Sequence, residues 1–145
     1  MATLTLVAHW ISRLGLGGFF LLAGGIKLLD AGAFQQEILT YQIVGQVASG
    51  VAAHYLPALE VMVGFGVLSG MRMRVAVLLS GILLAAFIFA LSWTWLQGID
   101  LNCGCLGPID FVEGQPAAIV RDLLLLGMAG ILWNVPQISS DGGAS

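Results

Sequence analysis

Residues 75–96 read VAVLLSGILLAAFIFALSWTWL and contain no charged side chain. Crossing the hydrocarbon core of a bilayer takes about 20 mostly apolar residues in helical form. This stretch meets that length without interruption, so it reads as a membrane span. Three further stretches qualify on either side of it, at Val7–Leu29, Ser49–Gly70 and Ala117–Pro136. Lipid offers no partner to a backbone N–H or C=O, so spans must be helices or a closed barrel. The alternation that barrel strands require is absent. The expected fold is an all-α integral membrane protein, a bundle of four transmembrane helices spanning residues 1–136. A polar tail, residues 137–145, follows and reads as disordered.

Composition agrees. The chain has 145 residues, 59% of them hydrophobic, with five basic and eight acidic side chains. A soluble domain is about a quarter charged, so this surface is built for lipid. The net charge of -3 and the lack of a basic cluster argue against a nucleic-acid partner. The first 25 residues lack a Lys or Arg before Arg13 and lack a small-x-small cleavage site. They read as a retained first span and not as a signal peptide.

Arg72 and Arg74 flank the short turn between the second and third spans. The positive-inside rule places that turn and both termini in the cytoplasm. Asp30–Ala48 and Gln97–Pro116 then face the outer side, with Asp30, Glu37, Asp100, Asp110 and Glu113. Lys27 and Arg121 run against the rule. Trp10 and Trp133 mark the inner interface, Trp93 and Trp95 the outer one. Within Asp30–Ala48, the residues Phe34, Ile38, Tyr41 and Ile43 fit one face of a short interfacial helix. Glycines in the first two spans, among them Gly15, Gly18, Gly24, Gly25, Gly64, Gly66 and Gly70, permit close helix contact.

The only cysteines are Cys103 and Cys105, in Asn102-Cys103-Gly104-Cys105-Leu106-Gly107 on the outer loop. A disulfide across one residue closes a small strained ring, and Gly104 relieves part of that strain. Strain makes a disulfide easier to reduce, and so short a ring staples almost no chain. The pair suits thiol exchange. Two other readings stand beside it: incidental loop cysteines, and a soft-metal site, which two thiolates without a His or Met cluster leave incomplete. No metal is expected.

Glu60 falls near mid-membrane, where an ionisable group is costly and marks a functional candidate. Arg13, about two turns inside the first span, is its expected partner. The pair locks two helices, or Glu60 serves as a proton site or a contact to a quinone head group. Lys27 and Arg121 either snorkel at helix ends or turn inward and favour the thiolate. His54 reads as interfacial filler or a base for a thiol. His9 and His54 fall at opposite faces, so no haem ligand pair is evident.

The Ala23-Gly24-Gly25-Ile26-Lys27-Leu28-Leu29-Asp30 helix end, Phe34, Tyr41, Leu56-Pro57-Ala58-Leu59-Glu60, the Cys-Gly-Cys-Leu-Gly run and Val120-Arg121-Asp122 together resemble the MauE branch of the DoxX-like membrane proteins. The resemblance runs from about Arg13 to Trp133. It implies a redox-associated protein of the bacterial inner membrane, working beside a thioredoxin-like or cysteine-containing periplasmic protein. It makes Cys103 and Cys105 the redox pair, with Arg13, Lys27, Glu60 and Arg121 as polar positions inside the bundle. No covalent cofactor is expected. The chain has no second cysteine pair, so electrons must come from a quinone, a cofactor held by another subunit, or an outer-side thiol protein. The rival readings are a non-catalytic accessory subunit of a larger membrane redox or photosynthetic complex, and a small-solute or metal transporter resting on Glu60 alone.

Overall fold

A computed structural model of the chain describes residues 2–99 and 115–134. Cys103, Gly104, Cys105, Asp100, Asp110, Glu113 and the expected polar tail lie outside them. The described residues form five helices and no strand: α1 (Ala2–Leu29), α2 (Ala31–Thr40), α3 (Gln46–Ser69), α4 (Met73–Leu96) and α5 (Gln115–Asn134). All but α2 are long and apolar enough to cross a membrane. Their exposed faces carry Leu14, Leu22, Val51, Met62, Phe65, Ile82, Phe89 and Leu124, as lipid requires and water forbids. The protein is a multi-pass, four-helix membrane bundle with one short extra helix.

The breaks between helices follow from local chemistry. Asp30 caps α2, its Oδ1 accepting the Ala33 N–H at 3.0 Å, so the chain turns after α1 without leaving that donor bare. Gly70 ends α3 in the left-handed region at φ 76°, its N–H donating to the Gly66 carbonyl. Glycine takes that conformation without the Cβ penalty. Pro57 lies inside α3, a position membrane helices tolerate better than soluble ones.

α1 packs more extensively on α3 than any other two helices do on each other. The two run antiparallel: Arg13 meets Leu68, Gly17 meets Gly64 and Gly24 meets Pro57. With α4 and α5 alternating in turn, one end of the bundle gathers the end of α1, the start of α3, the end of α4 and the start of α5. This is called the upper end below. α3 continues past the last turn of α1 there, and α2 lies against that extension, Gln35 Nε2 donating to the Gln46 carbonyl at 3.2 Å. The core is Leu16, Phe20, Val63, Val67, Leu84, Leu125 and Leu132 with their neighbours.

Two glycines set the α1–α3 spacing. A Cβ on Gly64 would lie 2.7 Å from the Leu21 nitrogen and 2.8 Å from the Gly17 carbonyl oxygen, both backbone atoms. One on Gly24 would lie 2.7 Å from the Pro57 carbonyl oxygen. Gly64→Ala therefore pushes the helices apart and costs about 1–3 kcal/mol, as overpacking does. Gly25→Ala meets nothing within 4 Å and is expected to stabilise α1 by up to about 1 kcal/mol through helix propensity. Thermal unfolding of the two variants in detergent checks the contrast.

Candidate functional site

Lys27 sits in the last turn of α1, and Glu60 lies inside α3. Glu60 is about 21 Å along the helix from Gln46 and about 14 Å from Ser69, at 1.5 Å per residue. Both side chains are buried, and Lys27 Nζ donates to Glu60 Oε1 at 2.9 Å and to Oε2 at 3.3 Å. The ammonium also lies 4.8 Å from the ring centroids of both Phe34 and Phe87. A desolvated cation over an aromatic face gains about 2 kcal/mol, so the rings offset part of the cost of burying Lys27.

Glu60 thus pairs with Lys27 and not with Arg13, the partner expected from the sequence. Arg13 lies at the lower end. Its Nε donates to the Val67 carbonyl at 2.9 Å and its Nη2 to the Leu68 carbonyl at 2.7 Å. These carbonyls belong to the last turn of α3, where helical acceptors lack intrahelical donors and a cation is favoured. Arg13 also stands 5.1 Å over the Trp10 ring. It is a helix cap, remote from Glu60.

Arg121 does turn inward. It bridges to Asp122 at 3.2 Å and lies 5.3 Å over the Phe19 ring. Asp122 is 1% exposed and close enough to Glu60 for the two carboxylates to act on each other electrostatically. Lys27 and Glu60 join α1 to α3, and Arg121 and Asp122 add a second cation–anion pair on α5, so the charges inside the bundle balance two against two. Balanced charge is what makes such a group tenable in an apolar bundle. In the sequence Asp122 figures only in the Val120-Arg121-Asp122 run. The signal was an acidic residue two turns inside a helix that starts at Gln115.

Above the ion pair a half-open cavity of about 220 Å³ separates α2 from α3 and α4. Lys27 lines its floor. Phe34, Ile38, Tyr41 and Ile43, the face expected of the interfacial segment, all line it, with Glu37 beside them. Leu56 on α3 and Leu83, Phe87 and Ala90 on α4 complete the wall. α2 roofs this space and does not merely float at an interface. His54 lies outside it, exposed, its Nδ1 2.9 Å from the Gly50 carbonyl oxygen. His9 is buried near the opposite end of the bundle.

A family model described as methylamine utilisation protein MauE matches residues 5–135. The chain belongs to the MauE family. Every helix described above falls within the match or begins just before it, so the MauE assignment covers the whole bundle, the buried charge group and the cavity. Comparison with curated proteins and with solved structures returns no match.

Proposed function

We propose that this MauE-family membrane protein exchanges dithiol and disulfide with a partner protein through Cys103 and Cys105. The observation that carries the reading is the placement of the only two cysteines, one residue apart, in the connection between α4 and α5. Both ends of that connection leave the bundle at its upper end. A partner thiolate attacks one sulfur of the Cys103–Cys105 disulfide and forms a mixed disulfide. The partner's second thiolate displaces it. The partner loses two electrons and two protons, and the pair takes them up as two thiols.

The orientation follows from charge. Arg13, Arg72 and Arg74 gather at the lower end, Asp30 and Glu37 at the upper end. Lys27 and Arg121, which run against the positive-inside pattern, are spent on Glu60 and Asp122 inside the bundle. The lower end and both termini are then cytoplasmic in a bacterial inner membrane, and the cysteine connection is periplasmic.

Trapping tests the exchange. With one cysteine replaced by Ser, the remaining thiol, activated as its thionitrobenzoate disulfide, is attacked by the first thiolate of a partner whose second cysteine is also Ser; thionitrobenzoate leaves and no thiolate is left to resolve the product. Cys103→Ser or Cys105→Ser is expected to accumulate a reducible mixed disulfide with a periplasmic thioredoxin-like protein, seen as a shifted band on non-reducing gels. Absence of such a band in both variants, with stoichiometric copurification in a larger complex whose activity survives both changes, returns the accessory-subunit reading.

A further inference from the structure

The cavity over Lys27 is too small for a whole ligand. Pockets that enclose small molecules run to about 300–1,000 Å³, and this one is about 220 Å³ and half open. It fits one end of a larger molecule whose remainder lies outside. Ile43 and Val44, which line it, are 46% and 38% exposed, so the surface beside the cavity that meets that remainder is apolar.

Its walls say more about the end that enters. An acyl chain needs only apolar contact. Here two aromatic rings flank a buried ammonium, with Glu37 and Tyr41 also lining the space. An ammonium carries three N–H donors, and its contacts with the Glu60 oxygens occupy no more than two. A donor remains for an oxygen entering from the cavity. The chemistry that matches is a flat ring bearing carbonyl oxygens on a long apolar tail.

We propose that this cavity binds the head group of a membrane quinone, which accepts the electrons that Cys103 and Cys105 collect. The location fits: Ala90, on the cavity wall, is about 9 Å below Leu96 along α4 at 1.5 Å per residue, and the cysteine connection leaves from that end. The step balances. The two thiols form one S–S bond and give up two electrons and two protons; the quinone takes both pairs and becomes quinol. The binding half rests on the cavity alone, the electron-transfer half on the exchange reading above.

The test is calorimetric titration of decylubiquinone, a short-tailed quinone, into the purified chain in quinone-free nanodiscs. Wild type is expected to bind one equivalent saturably above the partition background of empty nanodiscs. Ala90→Phe fills the cavity without touching the ion pair and is expected to weaken binding at least tenfold. Lys27→Met is expected to weaken it about 10–100-fold, the value of one hydrogen bond to a charged group. The double change Cys103→Ser, Cys105→Ser retains binding and loses quinone-dependent thiol oxidation. Binding indistinguishable from partition, or undiminished by Ala90→Phe, overturns the site. Displacement of a resident fatty acyl chain by neither quinone nor Ala90→Phe overturns it as well. A bound quinone beside a cysteine pair that never cycles leaves the cavity assignment standing and overturns the exchange reading; a cycling pair without quinone binding does the reverse.

Discussion

Replacing both Cys103 and Cys105 by Ser is expected to abolish thiol exchange, with no residual rate above the uncatalysed one. Serine matches cysteine in shape but supplies no thiolate, and the thiolate is the nucleophile and leaving group of every step. The same change is expected to leave the bundle intact. Neither cysteine belongs to the five helices, and a ring across one residue constrains almost no chain in the unfolded state. Thiol oxidation of a reduced thioredoxin-like partner measures the first part, and helical circular dichroism with a thermal melt in detergent measures the second. Exchange that survives the double change removes the dithiol from the account.

The second large effect is on stability. Glu60→Gln or Lys27→Met leaves one buried charge without its partner, which costs about 3–5 kcal/mol. That is on the order of 10³ in the folding equilibrium. Lipid makes the stranded charge no cheaper. Removing both together, as Lys27→Met with Glu60→Leu, is expected to recover most of the loss, because two apolar groups of similar size replace the pair. The loss is expected to be smaller for Glu60→Gln than for Lys27→Met, since the amide still accepts from the ammonium. Thermal unfolding in detergent of wild type, Lys27→Met, Glu60→Leu and the double variant forms a double-mutant cycle. Additive losses would show that the contact between Lys27 and Glu60 carries no coupling energy and that the pair does not hold α1 to α3.

Much of this architecture was legible in the residues. The absence of charge from 75–96 fixed one span, and composition left no alternative to lipid for the rest. The apolar face of Phe34, Ile38, Tyr41 and Ile43 was visible as a spacing and proved to be a cavity wall. Glu60 stood out by its depth. Its partner did not, because a residue's place within its own span does not say how high the neighbouring span sits. Asp30 ends α1 and starts α2, so the chain spends ten residues on α2 and α3 begins above the last turn of α1. That offset slides Lys27 down to the level of Glu60 and leaves Arg13 opposite Val67 and Leu68. The same offset opens the space over Lys27 that α2 covers. Asp122 was hidden for a related reason. α5 starts at Gln115, two residues ahead of the span expected from Ala117, so Asp122 lies two turns inside it. Pairings between helices depend on their relative height, and no single span records it.

The exchange reading stands or falls on whether Cys103 and Cys105 form a reversible couple. Quantified thiol alkylation of the reconstituted protein, equilibrated across a series of redox buffers, gives the reduction potential directly. A single two-electron transition is expected between about −270 mV and −120 mV, the values that bracket known thiol carriers. A pair that stays fully alkylated in every buffer, or one that no buffer reduces, would contradict it.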